Sequence, residues 1–271
     1  MIMTKTSLEK NQGNHAAQLH RIQKIQTMTL IALTGLTILV GGTFFQDAKS
    51  LDSYEDTIPK SRYVIENLKG DSLGTNFYWE IIPGESLYVN IKNDANLPAE
   101  KLEIVKGAIL STEFYEIDDH ILGKAPKGTI SKYYLGWQGA LSDIKQETEN
   151  AIPKSFVIQS IGNSAGDIII TLSNMIDGDG AAGTTKSTVS GNQILKSEIT
   201  IYDASSLSDR ELELVIRHEF GHALGLTHST APEDLMYPQI KTPYPYISDC
   251  NISGIISLYD GNVNEEVICE K

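Results

Sequence analysis

Three of the six histidines of this chain fall in one short run, His218-Glu219-Phe220-Gly221-His222-Ala223-Leu224-Gly225-Leu226-Thr227-His228. On a helix, residues i and i+4 lie one above the other on a single face, so the imidazoles of His218 and His222 can grip one ion. Glu219 points to a neighbouring azimuth, near enough to hold a water beside that ion without ligating it. Gly225 can take a positive φ, which ends a helix and turns the chain back, and three residues later His228 is available as a third ligand. Three neutral imidazoles with one open position form a catalytic zinc arrangement, whereas a structural site is closed by a fourth protein ligand.

The elements that must position these groups are also legible. Ser208-x-x-Glu211 is a capping box and sets a helix start just before the histidines. Leu212, Val215, Ile216, Phe220, Ala223 and Leu224 form an apolar stripe at helical spacing. The helix therefore has one side for a core and one for a metal. Ile194–Tyr202 reads as the strand that feeds it through Asp203–Leu207.

The run H-E-x-x-H-x-x-G-x-x-H followed by a downstream methionine resembles the metzincin metalloproteases, and within them the matrixin branch. Three stretches carry the resemblance: His218–His228 continuing into Ser229, Asp234-Leu235-Met236-Tyr237-Pro238, and Asp249–Tyr259. Gly166-Asp167-Ile168-Ile169-Ile170 adds weaker support, and the likeness covers roughly residues 75–262. It implies an α/β (α+β) fold, with a twisted mixed sheet, an active-site helix and a small C-terminal subdomain below a cleft. It also implies one catalytic Zn²⁺ on His218, His222 and His228, with Glu219 as general base in peptide-bond hydrolysis. Met236 would form a hydrophobic base beneath the metal, and Gly180–Thr188 the edge strand that receives an extended peptide. The segment after the methionine would wall the pocket for the residue following the scissile bond, although Pro238-Gln239-Ile240 departs from the usual Pro-x-Tyr. Matrixins often carry a second, structural zinc on histidines; no histidine lies between His120 and His218, so that site is not expected. Latency through a prosegment cysteine is not expected either, because no cysteine precedes the metal motif. The reading from another class is a non-catalytic cell-surface module that keeps the fold; loss of a ligand or of Glu219 would favour it.

The 271 residues carry a net charge of −13. Residues 1–24 hold four basic side chains (Lys5, Lys10, Arg21, Lys24) against Glu9, which makes them +3 and leaves −16 on the rest. An acidic body argues against nucleic acid as a partner and against adhesion to anionic lipid. Residues 25–46 contain no charge and can span a bilayer, which takes about 20 apolar residues as a helix. The basic flank would keep 1–24 in the cytoplasm and place the body outside as a single-pass, membrane-anchored domain. A cleaved signal peptide, giving a secreted protein, is the competing reading. Residues 47–75 read as a linker or short prosegment, 76–262 as the catalytic domain and 263–271 as a tail.

Within the domain, Phe77–Ile82 and Leu87–Lys92 read as strands about a Pro83-Gly84 turn, Ala99–Thr112 as a helix, and Tyr133–Glu149 as a second helix. Phe156–Ile161 and Ile168–Leu172 read as short strands, and Ser248–Tyr259 as the final helix. Asp177-Gly178-Asp179-Gly180 offers oxygens that a calcium ion could use, although such Gly-Asp-Gly runs are more often plain turns. The two cysteines, Cys250 and Cys269, would join the tail to the last helix in an oxidising compartment; two free thiols are the alternative.

Overall fold

The computed structural model describes residues 72–122, 126–159, 165–239 and 246–269. The leader and the charge-free run 25–46 lie outside the described residues. Among the described residues, no helix is long and apolar enough to cross a membrane.

Eleven strands are described, and six build the main sheet. In chain order the strands are β1 (Ser72–Thr75), β2 (Tyr78–Trp79), β3 (Leu87–Asn93), β4 (Phe114–Asp118), β5 (Ile130–Tyr134), β6 (Phe156–Gln159), β7 (Ile168–Leu172), β8 (Gly183–Ser190), β9 (Gln193–Ile201), β10 (Leu226–Ser229) and β11 (Glu266–Ile268). β6, β3, β7 and β9 are parallel neighbours in that order, and β2 adds to β9 through Tyr78 and Trp79. Strands covered on both faces need continuous apolar runs, and Ile168, Ile169, Ile170 and Leu172 of β7 are all buried. β8 runs antiparallel to β9, its sole partner among the described strands, and so forms the edge of a mixed sheet.

Four α-helices are described: α1 (Ala99–Leu110), α2 (Trp137–Ser142), α3 (Asp209–Ala223) and α4 (Asp249–Tyr259). α3 begins at its capping box, where the Ser208 side chain accepts from Glu211 N and the Glu211 carboxylate accepts from Ser208 N. Its apolar stripe enters the core: Leu212, Ile216, Phe220 and Ala223 have no exposed surface, and Phe220 meets the edge of Phe156 at 5.1 Å between ring centres. Trp137 is fully buried and donates from Nε1 to Arg217 O, which locks α2 to α3.

A second sheet has β1 between β10 and β11, all antiparallel. It forms because α3 ends abruptly. Gly225 has φ +104°, and a Cβ there would stand 1.9 Å from Phe77 O. The chain turns back into β10, while Asn76 N donates to Gly225 O and Trp79 Nε1 to Ala223 O. A disulfide between Cys250 and Cys269, with Cα atoms 5.2 Å apart, joins α4 to the end of β11.

Several elements differ from their sequence expectation. The run Tyr133–Glu149 is not one helix: Tyr133 and Tyr134 end β5, and the helix is confined to Trp137–Ser142. β5 pairs with β4 in register from Phe114–Tyr134 to Asp118–Ile130, a partner that helical periodicity cannot reveal. Asp143, at the end of the helix, accepts from Lys132 and from the Tyr134 hydroxyl. The expected strand Phe77–Ile82 shrinks to Tyr78–Trp79, because residues 76–79 wrap round the end of α3. Ser72–Thr75, read as linker, and Glu266–Ile268, read as tail, both pair within the second sheet. Asp177 forms a turn, its carboxylate accepting from the amides of Asp179 and Ala181.

Two stability measurements follow from this. Gly225→Ala should cost at least about 2 kcal/mol in denaturant unfolding, since it adds a left-handed-region penalty to a backbone collision; wild-type stability in this variant would refute the described turn. Replacing both cysteines by serine should lower stability by about 3 kcal/mol, the loop-closure value for a short cross-linked loop. An unchanged midpoint under oxidising conditions would show that the cross-link constrains nothing.

Candidate metal centre

His218 and His222 lie one helical turn apart on α3, with ring centres 4.7 Å apart. β10 returns His228 to the same point. The Nε2 atom of His222 is 3.1 Å from that of His218 and 3.2 Å from that of His228. Among the described residues this is the one group of three or more His, Cys, Asp or Glu side chains gathered closely enough to hold an ion. Among the described residues, Asp177 and Asp179 are not gathered with a third such group.

The outward-facing nitrogens explain the orientation of the rings. His218 Nδ1 lies 2.8 Å from Leu235 O, and His222 Nδ1 lies 2.9 Å from Leu226 O. A carbonyl can only accept, so each Nδ1 carries the proton and each Nε2 lone pair points inward. Burial, followed by the neighbouring His222, pushes the His218 pKa down to about 3. Burial likewise takes His222 down to about 4, and it depresses His228 further. The three rings are therefore neutral near pH 7, the form in which imidazole binds a metal. Tetrahedral zinc with Zn–N near 2.0–2.1 Å sets its ligand nitrogens about 3.3 Å apart, so the donors fit that ion in type and spacing.

Glu219 is 2% exposed, and burial pushes its carboxyl up to about 7 against the lowering effect of a hydrogen bond from Thr185. Thr185 Oγ1 donates towards Glu219 Oε2 at 2.7 Å. Glu219, His222 and His228 line a cavity of about 570 Å³ that also includes Phe77, Thr184 and Lys186. The cleft thus lies between the sheet edge β8 and the reversal after α3.

Met236 is fully buried against α3: a Cβ added at Gly221 would meet its sulfur at 2.6 Å. Asp234 holds the turn that carries it. The Asp234 carboxylate accepts from Met236 N at 2.8 Å, Ser248 Oγ at 3.0 Å and Asn251 Nδ2 at 2.9 Å, all buried. This turn presents Leu235 O to His218, so the network orients that imidazole through the backbone. Sequence reasoning singled out Met236 but missed Ser248 and Asn251, although Ser248-x-x-Asn251 has capping-box spacing and does cap α4. It also missed Thr185, which belongs to no local pattern.

The matrixin family profile matches residues 146–260. Human matrix metalloproteinase-20 is 35% identical over 126 residues, covering 42% of this chain and 26% of that protein. Dog matrix metalloproteinase-9 is 53% identical over 49 residues (18% of this chain, 7% of that protein). The metalloendoproteinase 2-MMP of Arabidopsis thaliana is 45% identical over 56 residues (20% and 15%). The chain thus spans about a quarter or less of the length of these curated relatives. The family match covers the main-sheet strands β6–β9, helix α3, the methionine turn and the last helix. The mixed parallel and antiparallel sheet suits the same fold, and over residues 146–260 the chain is similar to the matrixin family.

Proposed function

We propose that this protein is a zinc-dependent endopeptidase in which Glu219 is the general base. The observation that carries the reading is the convergence of three imidazole Nε2 atoms beside a buried carboxylate at the wall of an open cleft. His218, His222 and His228 would hold the ion. When bound, zinc supplies Lewis acidity, acidifying water and polarising a carbonyl. Glu219 takes a proton from the attacking water and delivers it to the leaving amine. Its burial suits it to this, because a carboxyl near 7 both accepts and releases a proton at neutral pH. No side-chain nucleophile is required.

The cleft shape supports an extended peptide as substrate. β8 is an edge strand, and a peptide can add to such an edge by main-chain hydrogen bonds, with alternate side chains directed into the cleft. The charge-free run 25–46 with its basic flank would hold the domain at the outer face of a membrane, where a Cys250–Cys269 disulfide is stable.

Cleavage of casein by the wild type should disappear with a chelator and return when zinc is restored. Glu219→Ala should still bind zinc but lose cleavage by a factor of about 10²–10⁴. Activity that survives Glu219→Ala would remove Glu219 from the mechanism, and bound zinc without any cleavage in the wild type would favour a non-catalytic module. His228→Ala should lose the metal and the activity together; full zinc occupancy in that variant would exclude His228 as a ligand.

A further inference from the structure

The carboxylate of Glu219 is seated by the sheet edge rather than by its own helix. Residues i and i+2 of a strand share a face, and both Gly183 and Thr185 of β8 face Glu219. At Gly183 there is no room for a side chain: a Cβ would lie 2.7 Å from Glu219 Cγ, 2.9 Å from its Oε1 and 2.9 Å from Val215 Cγ1. Two residues on, Thr185 Oγ1 is 2.7 Å from Glu219 Oε2 and 2.9 Å from Glu219 O. A hydroxyl has one proton to give, and a hydrogen bond to a charged carboxylate is about twice as strong as one to a neutral carbonyl. The last torsion of a glutamate is soft, so without such a contact the carboxylate plane is loosely held.

We infer that Thr185 is a positioning residue for the general base. Its hydroxyl holds Glu219 by Oε2, leaving the second carboxylate oxygen for proton transfer, and Gly183 provides the space in which the carboxylate lies. This rests on the peptidase reading above. It also gives β8 two duties: the strand offered to a peptide is the strand that sets the orientation of the base.

Thr185→Val keeps the size and β-branching of the side chain and removes the hydroxyl; Thr185→Ser restores the hydroxyl without the methyl. With the full chain loaded with zinc and a fluorogenic peptide taken from a mapped casein cut, Thr185→Val should lower kcat about tenfold or more with KM within about twofold, and Thr185→Ser should return to within about threefold of wild type. Bound zinc should be the same in all three. In a Glu219→Ala background, Thr185→Val should have no further effect. Equal losses in the Val and Ser variants, or a loss confined to KM or to bound zinc, would overturn the inference. Crystal structures of the zinc-loaded wild type and Thr185→Val decide the orientation independently of activity. The inference expects one Glu219 oxygen on Thr185 in the first and a rotated carboxylate in the second; an unrotated carboxylate overturns it. A wild type that cleaves nothing would count against the peptidase reading, while the crystallographic comparison still judges Thr185.

Discussion

The geometry of the three-histidine cluster depends on how abruptly the chain turns between His222 and His228. Had α3 continued, six further residues at 1.5 Å each would have carried His228 about 9 Å along the axis. Instead its Nε2 lies 3.2 Å from that of His222. Only a residue without a Cβ can sit at Gly225, because its φ is +104° and the carbonyl of Phe77 occupies the place of a side chain. The reversal is then held from outside the helix by Asn76, by the Trp79 indole on Ala223 O, and by β1, which pairs with β10. Residues 72–79 therefore belong to the construction of the site, although none of them offers a metal ligand.

Burial is the second constraint. His218, His228 and Glu219 are buried and His222 is half-buried beside them, in a wall where an unpaired polar atom costs about 1–3 kcal/mol. The protein meets much of that cost with backbone carbonyls, Leu235 O for His218 and Leu226 O for His222. It fixes one of those carbonyls by burying Asp234 among Met236 N, Ser248 and Asn251. The last helix, remote from His218 in sequence, thereby helps to set the direction of its Nε2 lone pair. Glu219 follows the same logic, with a hydroxyl from β8 in place of a carbonyl.

Wherever one element carries its own signal, the sequence was sufficient to read it. The capping box at Ser208, the apolar stripe of α3 and the run at Ile168–Leu172 appear in the structure where periodicity and capping chemistry predict them. The same reasoning failed at Tyr133–Glu149. Trp137, Leu141 and Ile144 have helical spacing and are indeed buried, but Tyr133 and Tyr134 are claimed by pairing with β4. Periodicity measures which side faces the core; it does not tell a strand partner twenty residues away from another turn of helix.

By itself, then, the sequence determined the candidate ligand types, the placement of His218 and His222 one turn apart on a capped helix, and the need for a turn at Gly225, because these rest on spacing along one chain segment. Tertiary structure alone decided which carbonyls aim the imidazoles, that Ser72–Thr75 and Glu266–Ile268 flank each other in one sheet, and that Thr185 reaches Glu219. Apart from the local pair of His222 and Leu226, each of these joins residues distant in the chain through a hydrogen bond whose two partners carry no mutual sequence signature. They exist only once burial of the apolar faces has brought sheet, helix and turn together.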